Sequence, residues 1–176
     1  MSTYQIDTAH THAQFKVRHL MVSNVKGDFD KVTGTVEYDE ANPGASSIDM
    51  VIDVNSISTR EPQRDAHLKS ADFFDVEKFP TITFVSKEVV KSGEDCFEVV
   101  GDLTIHGVTK TIDLDVEDFT PEVKDPMGFL RRGASAKATI LRSDFGLVFN
   151  MVLEAGGVAI SDEVHITIDT ELTRKA

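Results

Sequence analysis

The chain has 176 residues and a formal net charge of −12, from 30 acidic and 18 basic side chains. That balance leaves no basic stripe for a nucleic-acid backbone or for steady attachment to anionic lipid headgroups. With 40% hydrophobic residues and neither Gly nor Pro enriched, it is neither disordered nor fibrous, and its length suits a single domain over residues 1–176 that buries about 70% of its unfolded surface.

In chain order, Met1-Ser2-Thr3-Tyr4-Gln5-Ile6-Asp7 enters strand-like sequence at once. No room is left for a cleavable leader, so an intact cytoplasmic chain is expected. Strands are predicted over 3–7, 13–20, 25–29 and 32–39, and Asn42-Pro43-Gly44 marks a turn. From 47 to 57 the apolar Ile48, Met50, Ile52 and Val54 alternate with Asp49, Asp53 and Asn55, the period of a half-buried strand. One island breaks that period. Ser58-Thr59-Arg60-Glu61 offers a capping box, Pro62 suits a first turn, and Leu68, Ala71 and Phe74 share a helical face. A helix of about three turns is predicted over 61–71, long enough to cover one end of a barrel.

Alternation resumes over 81–90. Lys91-Ser92-Gly93-Glu94-Asp95 is a turn, and Cys96 reads as a small buried hydrophobe in the next strand; being single, it cannot form an intrachain disulfide. Phe97, Val99, Leu103 and Ile105 then alternate with polar residues, His106-Gly107 turns, and Ile112, Leu114 and Val116 alternate in their turn. After Asp125-Pro126-Met127-Gly128 a strand over 135–141 points Ala134, Ala136, Ala138 and Ile140 inward. Ala155-Gly156-Gly157 reads as a turn, and Val164, Ile166 and Ile168 form the last inward stripe. Without helical crossovers these strands should pair antiparallel and close as a barrel or a sandwich.

Three inward alanines leave space that larger residues would fill. That space either opposes Phe side chains in an ordinary core or provides clearance for a ligand, and the eleven Phe residues could plug it or line it. His10 and His12 share a strand face and His19 shares parity with Phe15 and Val17, but without further ligands at regular spacing no metal site is expected. No nucleophile elbow, Cys/His pair, phosphate-cradling glycine loop or His-Glu-x-x-His helix is present, so neither catalysis nor a cofactor is expected.

Several blocks resemble the YceI-like family. Ile6-Asp7 with His10-Thr11 is similar to its opening pattern, Phe15-Lys16-Val17-Arg18-His19-Leu20 to its next block, and Lys26-Gly27-Asp28-Phe29 to its Gly-x-Phe turn. Arg64-Asp65-Ala66-His67-Leu68-Lys69-Ser70-Ala71-Asp72-Phe73-Phe74-Asp75 and Gly101-Asp102-Leu103-Thr104-Ile105-His106-Gly107-Val108-Thr109-Lys110 are the two most specific matches. Phe79-Pro80-Thr81-Ile82-Thr83-Phe84 and Arg142-Ser143-Asp144-Phe145-Gly146 match further blocks, while Thr111 stands where many members have Pro.

The resemblance implies a single up-and-down, lipocalin-like antiparallel barrel of about eight strands holding a long apolar ligand. That ligand would be a polyisoprenoid, an isoprenoid quinone or a fatty-acid-like lipid in a non-catalytic, bacterial carrier. Many relatives are periplasmic. Phe15, Val17, Ile52, Val54, Phe84, Leu103 and Ile105 would then line hydrocarbon, with Ala136 and Ala138 as clearance. His19, Arg142, Arg64 and His67 are candidates for the polar head, with the phosphate-binding role strongest for His19. A stress-response or interaction module with a filled core, an enzyme acting on an apolar substrate, and a homodimer remain open alternatives.

Overall fold

Side chains that alternate between two environments need a sheet with one wet face, and closing that sheet removes its edges. The computed structural model describes residues 1–154 and 158–176, so the Ala155-Gly156-Gly157 turn lies outside the described residues. The strand segments are β1 (Ser2–Ile6), β2 (His12–His19), β3 (Ser23–Phe29), β4 (Val32–Tyr38), β5 (Ser47–Asp53) and β6 (Ile57–Ser58). They continue as β7 (Thr81–Lys91), β8 (Phe97–Ile105), β9 (Val108–Glu117), β10 (Val123–Lys124), β11 (Phe129–Leu141) and β12 (Ile160–Lys175). One α-helix, α1 (Pro62–Lys69), lies between β6 and β7.

All pairings are antiparallel, and four staves are each made of two segments, the last being β9 with β10, which both lie along β11. β1 pairs with β4 while β2 pairs with β3, and β5 and β6 lie beside β4 and β3 in turn. From there β5–β7, β7–β8, β8–β9, β9–β11 and β11–β12 follow, and β12 returns to β1 and β2. The result is a closed, up-and-down barrel of eight staves, each joined to its sequence neighbour. α1, the β2–β3 and β8–β9 hairpins and the described residues between β11 and β12 all lie at one end. The chain termini and the loop between β9 and β11 lie at the other.

The structure corrects several details. The stave predicted over 47–57 leaves sheet geometry at Asp53. The Asp53 carboxylate accepts from Asn55 N at 2.9 Å and starts a 3-10 turn, Val54–Ser56, so Val54 is buried at a corner and no longer follows the parity of Ile52. α1 has about two turns, not three, and no capping box. Glu61 itself is the N-cap, accepting from Gln63 N and Arg64 N at 3.2 and 2.6 Å. Ser58, the first residue of the expected box, is paired with Asp28 in β6, and the Thr59 backbone and hydroxyl both donate to Asp65 Oδ1. Ser70 ends the helix by donating to the His67 carbonyl at 2.6 Å. Cys96 is half-exposed at the β7–β8 turn instead of buried in a strand, and its hydrogen bond to Asp95 pushes the thiol pKa up.

Candidate binding site

The inward faces of the staves do not fill the barrel evenly. Towards the end that carries α1 they stop short of one another and leave a cavity of about 560 Å3 with an almost wholly hydrocarbon surface. Phe15 and Val17 of β2, Ile52 of β5, Phe84 of β7, and Leu103 and Ile105 of β8 are on its wall, with Ala138 of β11. All six larger residues come from alternating runs, since period two brings each to the inner face.

Two of the wall's rings depend on a glycine. A Cβ on Gly27, the cross-strand partner of Phe15, would clash with that ring, and one on Gly101 would clash with the ring of Phe84. Bare backbone therefore lets both rings lean on the sheet and leaves the lumen open.

At the mouth the structure brings together Arg18 and His19 from β2, Arg64 and His67 from α1, and Arg142. Their engagements differ. The Arg142 side chain is buried and spent on the loop that follows it and on the start of β12: Nε donates to Ser161 O at 2.9 Å, Nη1 to Leu147 O and Phe149 O at 2.6 and 2.9 Å, and Nη2 to Ile160 O at 3.2 Å. Desolvation draws its pKa below the usual arginine value. Arg64 donates from Nε and Nη2 to the hydroxyl and carbonyl of Thr59, both at 2.8 Å. His67 lies 2.9 Å from Asp72 and edge-on to Phe73 and Phe149, with ring centroids 5.0 and 4.9 Å away. His19 is exposed, and its ring nitrogens have no hydrogen-bond partner among the described residues. Leu20, Met21 and Val22 on one side, and Val148, Met151 and Val152 on the other, leave an exposed apolar rim.

Two predicted lining residues are elsewhere. Val54 is in the corner turn, and Ala136 is packed in the filled part of the barrel; neither is on the cavity wall. Residues that the alternation could not indicate are Phe73, Phe149 and Met151, which reach the cavity from the two long segments at its mouth. Those segments have no strand period, and only the aromatic pair Phe73-Phe74 hints that one of them turns inward.

The far end is closed. Tyr38, Phe97 and Phe119 pack edge to face, with centroids 4.8 to 6.0 Å apart. The Arg132 guanidinium lies 5.3 Å from the Tyr38 ring and 5.1 Å from that of Phe119. Its Nε donates to the Tyr4 hydroxyl at 3.1 Å, and that hydroxyl donates to Glu122. Arg174 donates twice to Glu122, at 2.8 and 2.9 Å, and holds that carboxyl below the usual range.

Outside the barrel, Asp7, His10 and Glu171 come close enough to share a cation. The positive charge there is Arg131, whose Nη1 is 2.6 Å from Asp7 and 2.9 Å from Glu171. This cluster reads as an ion-paired seam. No helix among the described residues is long and apolar enough to cross a membrane.

Comparison with known proteins places this chain among relatives. Residues 4–172 match the model of the YceI-like domain. A UPF0312 protein of Staphylococcus aureus is 40% identical over 174 residues, 98% of either chain. Among solved structures, a Campylobacter jejuni YceI protein is 33% identical, with a TM-score of 0.75 over 90% of each chain. A polyisoprenoid binding domain from Saccharophagus degradans shares the fold, with a TM-score of 0.69 at 19% identity, over 96% of this chain and 97% of that one.

Proposed function

The chain belongs to the YceI-like family, and we propose that it is a non-catalytic carrier whose barrel holds a long apolar amphiphile, a polyisoprenoid or related lipid. The observation that carries this reading is the open lumen of about 560 Å3 with its almost wholly hydrocarbon wall. Each methylene moved from water into such a wall stabilises the complex by about 0.8 kcal/mol, so a prenyl chain needs few polar contacts to bind. Kinship of fold with a polyisoprenoid binding domain supports the same ligand class.

The polar head then lies at the mouth, where His19 can donate to a phosphate or carbonyl and Arg64 can add charge from α1. Native mass spectrometry of the purified protein, followed by organic extraction, tests the reading. Added mass that leaves with the organic phase and carries a prenyl or acyl chain is the expected result. A protein that neither carries nor takes up any such lipid refutes it, and a filled-core module would behave that way.

A further inference from the structure

Resting on the carrier reading, we infer that the lumen gauges chain length: it houses about twenty carbons, roughly four isoprene units, and a packed floor refuses the remainder. A protein cavity of about 150 Å3 holds one benzene ring, or about 25 Å3 per carbon. On that scale the 560 Å3 lumen takes roughly 22 carbons.

What stops a longer chain is the arrangement below the cavity. β8 shows it best, because its inward residues change role along one stave. Ile105 and Leu103 are on the cavity wall, whereas Val99 and Phe97 are fully buried in packed core and absent from the wall. β11 repeats the pattern, with Ile140 and Ala138 on the wall and Ala136 in the packed part. Beneath Phe97 come the rings of Tyr38 and Phe119 and the Arg132 guanidinium, whose side chain is only 10% exposed. A chain pushing through would have to separate that desolvated cation from its aromatic faces and from the Tyr4 hydroxyl. The floor is therefore closed by packing and by charge, while the mouth is open. Carbons beyond about the twentieth leave the enclosed lumen and meet at most the exposed rim, so they add little to affinity.

The test is competition among all-trans prenyl alcohols of ten, fifteen, twenty, thirty and forty carbons, offered at equal concentration and read by native mass spectrometry. Occupancy should rise more than about tenfold from ten to twenty carbons and stay within about twofold beyond. A forty-carbon prenol that outcompetes the twenty-carbon one tenfold overturns the gauge and leaves the carrier reading standing. Failure of every prenol to bind overturns the carrier reading itself. Phe97→Ala should extend the rise to thirty carbons by opening the floor, and Val99→Ala is the milder variant should the first not fold. An unchanged plateau in a folded variant of either kind overturns the assignment of the floor.

Discussion

The guanidinium of Arg142 donates to four backbone carbonyls, whereas the imidazole of His19 has no hydrogen-bond partner among the described residues. Both are cations or potential cations at the mouth of the cavity, so parity and position alone make them equivalent, and the hydrogen bonds separate them. Hydrogen bonds from a charged donor contribute about 1.5–3 kcal/mol each. Arg142→Met is therefore expected to lower stability in urea by about 3 kcal/mol or more, and to weaken a prenol and a prenyl phosphate alike. His19→Leu should leave stability almost unchanged and weaken the prenyl phosphate about tenfold more than the prenol, the worth of one charged hydrogen bond. Equal losses for the two ligands with His19→Leu would remove the imidazole from the head-group site.

At the scale of an element, β11 carries the inward alanines that suggested clearance, and they do not share one environment. Ala138 faces the lumen, while Ala136, paired with Val116 of β9 and with the wall residue Ile168 of β12, is buried off the wall. The same substitution should thus have opposite consequences two residues apart. Ala138→Phe fills space a ligand would occupy, so prenol binding should fall at least about tenfold while the thermal midpoint holds. Ala136→Phe overpacks a filled layer and should cost about 1–3 kcal/mol of stability. Thermal melts and probe displacement on the two folded variants check both. A ligand-competent Ala138→Phe would show that β11 does not line the site.

For the whole molecule the critical seam is where β12 returns to β1 and β2, and Arg131 of β11 ties it. Arg131 donates to Asp7 and Glu171 at 2.6 and 2.9 Å, and to Asp125 at 2.7 Å. The hydrogen bond from Arg131 is the main reason that Asp7 and Asp125 titrate below the usual carboxylate range. Around the ordinary aspartate value of about 3.9 the unfolded chain therefore binds more protons than the folded one. The seam's contribution is complete above that pH and is lost as the pH falls through the depressed folded values. Arg131→Met should consequently be least stable relative to the parent near neutral pH, with the gap closing in strong acid. Urea unfolding across that range measures it, and a gap independent of pH would mean that the seam is not held by charge.

Strand positions, antiparallel pairing and the inner face of the most regular staves were legible in the sequence because alternation is a local property, whereas the choice of a barrel over a sandwich came with the family resemblance: a period of two decides which way each side chain points whatever the chain does next. The motif blocks around Arg64 and Leu103 carried the family. Parity, however, tells inside from outside and nothing about height along the barrel axis. Whether an inward residue meets a lumen or a filled layer depends on side chains arriving from staves far away in sequence, as Phe97 does from β8 and Tyr38 from β4. For that reason Ala138 and Ala136 looked alike, and Val54 was assigned to a wall that the turn begun at Asp53 takes it away from. The contribution of Phe73 and Phe149, and the engagement of Arg142 by carbonyls up to 19 residues ahead, arise in segments without a period. Their places were decided only when the closed barrel gave them an end to cover.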